Sequence, residues 1–206
     1  MKRLIIKTTV FFVVVILVTT TSFAQKFHLA LNYNTATPLS SGLKDYVSKT
    51  SFRGFQGSIL YNINQQFRLG LQASYNDLYE KYPRQVYKTT NGSDLSAVLT
   101  NTMQITPVLV KAEYTMTKDQ WIQPYVGLGA GINFVNFSQF YGEFEYNKFS
   151  TKAAFSGDLG VLIPFSKTSH YGARLSTSYN FSPFNEEGIQ HIDTWNVQAG
   201  IVVPLK

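Results

Sequence analysis

A strict two-residue alternation runs through WIQPYVGLGAGINF, from Trp121 to Phe134. One phase is apolar at every position from Ile122 to Phe134, and the other carries glycine, amide and tyrosine residues without a single charge. A repeat of two residues is the period of a β-strand, whereas a nucleotide-binding glycine fingerprint needs the spacing G-x-G-x-x-G at the start of a helix. The stretch therefore predicts a strand with one continuous apolar face.

An apolar face opposite small, uncharged side chains is typical of a strand with lipid on one side and a narrow lumen on the other. Charged residues make up only 15% of the chain, against ~25% in an ordinary soluble domain. A soluble lipocalin-like barrel is the alternative, but its outward polar phase would need to be well charged. The absence of cysteine excludes disulfides and thiolate metal sites, so strand pairing and burial must hold the fold together.

The N-terminal segment predicts export. Three cations lie within the first seven residues, an apolar run extends from Val10 to Val18, and a small-residue cleavage site ends at Ala24. A permanent anchor helix is less favoured, because the run is shorter than the ~20 residues needed to span a bilayer. We predict a signal peptide over residues 1–24 and one barrel domain over residues 25–206. The net charge of +6 includes those three cations, and the remainder is too mild to suggest nucleic-acid binding.

The same alternation recurs in seven further segments of about ten residues, which gives eight strands. Short turns alternate with longer segments, and the longest of these is predicted to be a polar loop from about Asn76 to Asn101. This pattern indicates an all-β fold, an eight-stranded antiparallel up-and-down transmembrane β-barrel with tight periplasmic turns and larger external loops. Closing the sheet satisfies every backbone N–H and C=O group inside lipid, which an open sheet cannot do.

Aromatic residues on the outward phase mark both ends of the predicted strands. At the short-turn end they are Phe27, Tyr61, Phe67, Tyr114, Phe165 and Tyr171, and at the long-loop end Tyr33, Phe55, Tyr75, Phe134, Tyr179 and Trp195. Amphipathic rings favour the two membrane–water interfaces, so these residues predict two girdles that bracket an apolar band.

The inward phase contains five charged residues of both signs, Arg68, Lys111, Glu113, Asp158 and Arg174. The interior of an eight-stranded barrel is only wide enough for side chains to fill it. We therefore expect the five to form one interior charge network that plugs the lumen, because an unpaired buried charge costs several kcal/mol. The alternative is a gate whose ion pairs exchange to admit small ions.

With these strands in place, the chain resembles the OmpA/OmpX-like family of eight-stranded outer-membrane β-barrels, the porin-family proteins of Gram-negative bacteria. The residues that carry the resemblance are QPYVGLGAGINF at Gln123 to Phe134, QITPVLVKAEY at Gln104 to Tyr114 and GDLGVLIPF at Gly157 to Phe165. The resemblance implies location in the outer membrane, contact with its lipid and lipopolysaccharide, and insertion by the outer-membrane assembly machinery. Family members usually end in an aromatic residue, whereas this chain has Leu205 near its end.

Two external segments are candidates for binding. FSQFYGEFEYNKF, from Phe137 to Phe149, keeps alternating beyond the membrane level around a turn at Gly142, and Phe144 and Tyr146 share one face of it. We expect this hairpin to protrude and its aromatic face either to bind a partner or to pack on neighbouring loops. Leu78 to Lys88 mixes tyrosines with cations, a pattern that suits either an anionic lipopolysaccharide or host polymer, or an ordinary solvated loop.

We predict a non-enzymatic structural or surface-binding barrel that acts through its external loops on a possible extracellular ligand. No cofactor or metal is expected, and the protein is expected to be a monomer. A small-solute pore is the first alternative. A lipid-modifying enzyme is the second, because His170 follows Ser169 and His191 lies near Asp193. Neither histidine has the full set of nucleophile, base and orienting acid that a triad requires.

Overall fold

The computed structural model describes residues 27–88, 94–117, 120–166, 171–186 and 188–205, and these form eight strands and one short helix. The predicted signal peptide lies outside these residues. In chain order the elements are β1 Phe27–Pro38, α1 Ser41–Tyr46, β2 Ser51–Asn62, β3 Phe67–Lys88, β4 Asp94–Thr115, β5 Gln123–Tyr141, β6 Phe144–Pro164, β7 Gly172–Glu186 and β8 Ile189–Pro204. No helix among the described residues is long and apolar enough to cross a bilayer.

The strands form a closed antiparallel barrel in which each strand pairs with its sequence neighbours and β1 pairs with β8. The closing pair runs in unbroken register from His28 opposite Pro204 to Pro38 opposite Thr194. Because both edges of the sheet are used in this pairing, the wall leaves no open edge at membrane level. The predicted eight-stranded up-and-down barrel is confirmed.

The predicted phases of the strands are also confirmed. Leu128, Leu71 and Leu159 of the apolar phase are exposed on the outer wall, whereas the alternating positions of the same strands point into the lumen. The predicted girdle residues lie in register across the strands: Tyr33 is opposite Phe55, which is opposite Tyr75. The outer wall therefore presents the apolar band and the aromatic rows that a transmembrane barrel needs.

The prediction of a polar loop from Asn76 to Asn101 is wrong. Strands β3 and β4 are 22 residues long, against 12 for β1 and β2, and they continue as a paired hairpin through that segment. Pairing between β4 and β5 extends up to Leu99 opposite Tyr141, so β3 to β6 rise together as one sheet above the rest of the barrel. Outside lipid, the outward positions of a strand need not be apolar. The sequence of this paired segment therefore has the polar composition of a loop.

Candidate functional site

The five charged residues of the predicted interior network lie together in the lower lumen, because alternate residues of a strand point to the same side of the sheet. Arg68 lies on β3, Lys111 and Glu113 on β4, Asp158 on β6 and Arg174 on β7, all on the inward phase and all buried. Register places Arg68 opposite Glu113 across the β3–β4 pair, so two of the five are direct neighbours in the sheet. The rest converge because the lumen is narrow.

Glu113 is the centre of this interior charge network. Arg174 donates to both of its carboxylate oxygens, and Lys111 Nζ and Arg68 Nη2 lie 3.3 and 3.6 Å from them. Three cations therefore surround one carboxylate that is 1% exposed. Lys111 also lies 2.9 Å from Asp158 and donates to Gln72 at 2.7 Å, which connects the fifth charge to the same cluster.

The glycines of the opening stretch make room for this network. A Cβ on Gly127 would lie 2.6 Å from Asp158 Oδ2, and a Cβ on Gly129 would lie 2.5 Å from Ser156 Oγ. Both distances are too short for any real contact. The glycine row is therefore required by close packing inside the lumen rather than by a nucleotide.

Tyr125 adds an aromatic layer to the network. The Arg174 guanidinium carbon lies 4.2 Å from the centre of its ring, an arrangement that favours a cation–π interaction. The ring is accommodated by Gly160, whose added Cβ would lie 2.5 Å from it. Tyr125 lies on the predicted inward phase, but its role could not be predicted, because nothing in the sequence shows which inward residues meet across the barrel.

A belt of amides and hydroxyls fills the lumen above the charges. Asn34 donates to Asn76 at 2.7 Å, Asn196 donates to Asn34 at 3.2 Å, and Ser176 donates to Gln198 at 2.7 Å. The first bond joins β1 to β3 past β2, whereas the other two join strands that are adjacent in the barrel, β8 with β1 and β7 with β8. A cavity of about 20 Å³ in this region has room for about one water molecule.

The external end of the lumen is closed by an apolar cluster that sequence analysis did not predict. Helix α1 contributes Leu43 and Tyr46 to this cluster, and Val47, the residue after the helix, also belongs to it. Strands β3 to β5, β7 and β8 supply the other large members. The remaining members are Ala36, Leu78, Met103, Ile105, Val135, Phe137, Phe184, Ile189 and Ile192. The signal in the sequence is the spacing of Leu43, Tyr46 and Val47 at i, i+3 and i+4, which is the helical period.

Tyr46 fixes the helix to the wall. Its ring stacks on Phe137 with centroids 4.2 Å apart, and its hydroxyl lies 2.6 Å from the carbonyl oxygen of Ser138 and 3.2 Å from that of Thr102. Burial raises the pKa of the Tyr46 phenol, which keeps it protonated as a donor. Above the helix, an open recess of about 450 Å³ is lined by Tyr46, Tyr82, Asn101 and Gln139 among others. The external opening thus ends at α1.

The predicted external binding surface lies at the tip of the β5–β6 hairpin. The turn is made by Gly142, with a φ of +67°, and Glu143. Phe144 and Tyr146 occupy even positions of β6, the phase that carries Ser156 and Asp158 inside the barrel, so they face the space above the mouth. Phe144 is 70% exposed, and Tyr146 is 45% exposed with its ring edge-on to Phe137 at 6.4 Å.

The described residues do not assemble a catalytic triad around His191. Its Nε2 lies 3.4 Å from Asp193, but the nearby hydroxyl of Ser40 donates to the main-chain oxygen of His191. The Ser169–His170 pair lies outside the described residues. No group of three His, Cys, Asp or Glu side chains within the described part of the chain is arranged to hold a metal ion.

A family model for the outer membrane protein beta-barrel domain matches residues 10–203. The chain belongs to this family. The match begins inside the predicted signal peptide, so the boundary after Ala24 stays a prediction. Together with the lipid-facing wall, membership of the outer membrane β-barrel family places the protein in the bacterial outer membrane.

Solved structures of other outer-membrane barrels are similar to this member of the family. Neisserial surface protein A is 15% identical over 87% of this chain and 97% of its own, with a TM-score of 0.60. OprG from Pseudomonas aeruginosa is 13% identical over 85% and 93%, with a TM-score of 0.50. The outer membrane protease OmpT from Escherichia coli is 7% identical over 88% and 97%, with a TM-score of 0.45. No curated protein matches by sequence. At these identities the likeness shows the fold alone.

Proposed function

We propose that this protein is a non-enzymatic outer-membrane barrel that keeps its lumen closed and binds an extracellular partner through the protruding sheet of β3 to β6. The observation that carries the proposal is the exposure of Phe144 and Tyr146 at the tip of that sheet. Aromatic side chains supply much of the energy of protein interfaces, and leaving them in water is unfavourable unless a partner covers them.

Three layers in the lumen support a closed barrel. The interior charge network, the amide belt and the apolar cluster around α1 follow one another from the periplasmic to the external end. Opening an aqueous path would require α1 to leave its apolar contacts and the ion pairs around Glu113 to separate. These features favour the plug over the gate and over a small-solute pore.

The chemistry of the described lumen supports a non-enzymatic role. Its carboxylates lie beside cations, and several of its amides bond to one another. The Ser40 hydroxyl near His191 donates to the main-chain oxygen of that histidine, so it is not placed as the nucleophile of a triad with Asp193. An enzyme needs a group placed to react with a substrate, whereas the five charged side chains of this interior are paired with one another.

Substitution of the tip tests the proposal. Cells that display Phe144→Ser with Tyr146→Ser should adhere at least tenfold less than the parent to the responsive members of a panel of immobilised extracellular-matrix proteins and glycans, because two aromatic contacts are lost. Val86→Ser with Phe149→Ser is the matched control, since both side chains are exposed on the outward face of the same sheet.

The control should adhere like the parent, and both variants should keep heat-modifiable gel migration, which reports a folded barrel. Equal adhesion of the tip variant and the parent to every surface would contradict the proposal. Large, steady ion conductance of the parent in planar bilayers would instead favour the pore.

A further inference from the structure

Cations are concentrated on one side of the barrel just above the external girdle. On β2, Arg53 lies two residues beyond the girdle residue Phe55, and on β3, Lys81 and Arg84 lie beyond Tyr75. All three are exposed on the outer wall. This surface is defined here as the basic face.

A β-bulge places two of these cations on the same face. Lys81 pairs with Thr100 and Arg84 with Val98, so three steps along β3 correspond to two along β4. In an unbroken strand, residues three apart point to opposite faces. The extra residue, next to Pro83, reverses the phase and brings Arg84 to the outward side beside Lys81.

Arg53 is held against an aromatic ring beside this pair. Its guanidinium carbon lies 4.5 Å from the centre of the Tyr79 ring, and its Nη1 lies 3.4 Å from Asp77. The arginine side chain is nevertheless 59% exposed, so its remaining donors are open to a ligand from outside. Asp77 is the carboxylate of the basic face, and the four groups together carry a net charge of +2.

On the opposite side of the barrel, the charged side chains that point outward above the girdle are negative. Above the girdle, the described outward positions of β5 to β8 carry the carboxylates of Glu145 and Asp193 and no lysine or arginine. Lys148 and Lys152 of β6 belong to the inward phase and pair with Glu186. The cations therefore form a patch on β2 and β3 rather than a uniform rim.

The cations of the basic face lie at more than one height above the girdle. At about 3.3 Å per residue and a tilt of about 40°, Arg53 lies roughly 5 Å above the girdle and Lys81 roughly 15 Å above it. Phospholipid headgroups place their phosphates in one shallow layer, whereas lipopolysaccharide carries phosphates both on lipid A and on the sugars above it. The cations of the basic face are spread over about 10 Å of height, which matches the phosphates of lipopolysaccharide better than the single phosphate layer of phospholipids.

We propose that the basic face binds the phosphorylated headgroup of one lipopolysaccharide molecule in the outer leaflet. Arg53 is at the height of the lipid A phosphates, and Lys81 and Arg84 are at the height of the phosphates on the inner sugars. The inference does not rest on the proposed partner binding at Phe144 and Tyr146, which involves the other face of the sheet.

The test compares two charge-matched variants of the refolded full-length barrel. Rough lipopolysaccharide that keeps its phosphorylated inner core is titrated in mixed micelles against the parent, Lys81→Gln with Arg84→Gln, and Lys44→Gln with Lys148→Gln, and bound molecules are counted by native mass spectrometry. Loss of both cations of the basic face should weaken binding roughly 30-fold, since each cation near an anionic membrane surface accounts for roughly fivefold. The control variant should stay within about twofold of the parent.

Two further probes separate the ligands. Enzymatically dephosphorylated lipopolysaccharide should bind the parent at least as weakly as the intact lipid binds the basic-face variant, because Arg53 then loses its phosphates as well. Equal binding of the intact lipid to parent and variant, or undiminished binding of the dephosphorylated lipid, would overturn the proposal. So would phosphatidylglycerol that binds the parent as tightly and loses as much in the variant, because the site would then belong to phospholipid. Adhesion through the tip should be unchanged in the basic-face variant.

Discussion

Replacement of Glu113 by alanine removes the centre of the interior charge network. Arg174 loses both of its acceptors, and three buried cations are left facing the single carboxylate of Asp158. Breaking a buried ion pair by removing one partner costs about 3–5 kcal/mol, because the remaining charge keeps its desolvation penalty. We expect the free energy of unfolding from lipid vesicles to fall by this amount, which at about 2 kcal/mol per molar urea lowers the midpoint by about 1.5–2.5 M.

Two companion variants separate charge from volume and position. Glu113→Gln keeps nearly the same side-chain volume. Its free energy of unfolding should fall by nearly as much as that of Glu113→Ala, because the neutral amide does not balance the charge of the cations. Glu143→Ala removes an exposed carboxylate at the β5–β6 turn and should change the free energy of unfolding by less than about 0.5 kcal/mol. Equal urea midpoints for Glu113→Ala and Glu143→Ala would refute the reasoning, since the lumen charges would then have no structural role.

Two other changes probe the lumen and the external sheet. Gly160→Ala should lower the free energy of unfolding by about 1–3 kcal/mol, because its Cβ would lie 2.5 Å from the Tyr125 ring, whereas Gly157→Ala, with its nearest contact 3.9 Å away, should be close to neutral in the same urea titration. The pKa of Glu80 is lowered: burial raises it, but hydrogen bonds from Ser48 and the charge of Lys49 outweigh that effect. Because the folded pKa lies below the unfolded one, the stabilisation is present at neutral pH and is lost as the pH falls below about 4. The protection factor of the Ser48 amide should fall in that range in the parent, and in Glu80→Ala, which has no side-chain acceptor, it should be low at every pH.

Sequence alone predicted the part of the fold that lipid controls. Inside the membrane every second residue must be apolar, so the inward phase follows directly, and the alternation is enough to assign Arg68, Lys111 and Arg174 to the lumen. Their convergence on Glu113 also follows in outline, because the barrel is narrow. Which cation meets which carboxylate depends on register and on side-chain reach, and neither is encoded in a local pattern.

The parts that the sequence did not predict lie where lipid no longer constrains the outward phase. Above the girdle, β3 carries Asp77, Tyr79 and Lys81 on its outer side, residues that suit water, so the segment has the composition of a loop. Helix α1 has only six residues, which is less than two turns, so the helical spacing of Leu43, Tyr46 and Val47 occurs only once and is too short to predict a helix. Both elements are set by tertiary contacts: pairing of β3 with β4, and packing of Leu43 and Tyr46 into the mouth.

The different chemistry at the two ends of the lumen has a physical cause. At membrane level the apolar residues are already committed to the lipid side, so the inward positions are polar and must satisfy one another. Above the membrane both faces of β3 to β6 meet water, and an apolar cluster there gains stability from the area that it removes from water. Tyr46 belongs to this cluster and also bonds to the backbones of β4 and β5, the strand that leads directly to the tip. The same contacts that close the lumen therefore hold the protruding sheet in place, and movement of α1 would alter both lumen closure and the position of Phe144 and Tyr146.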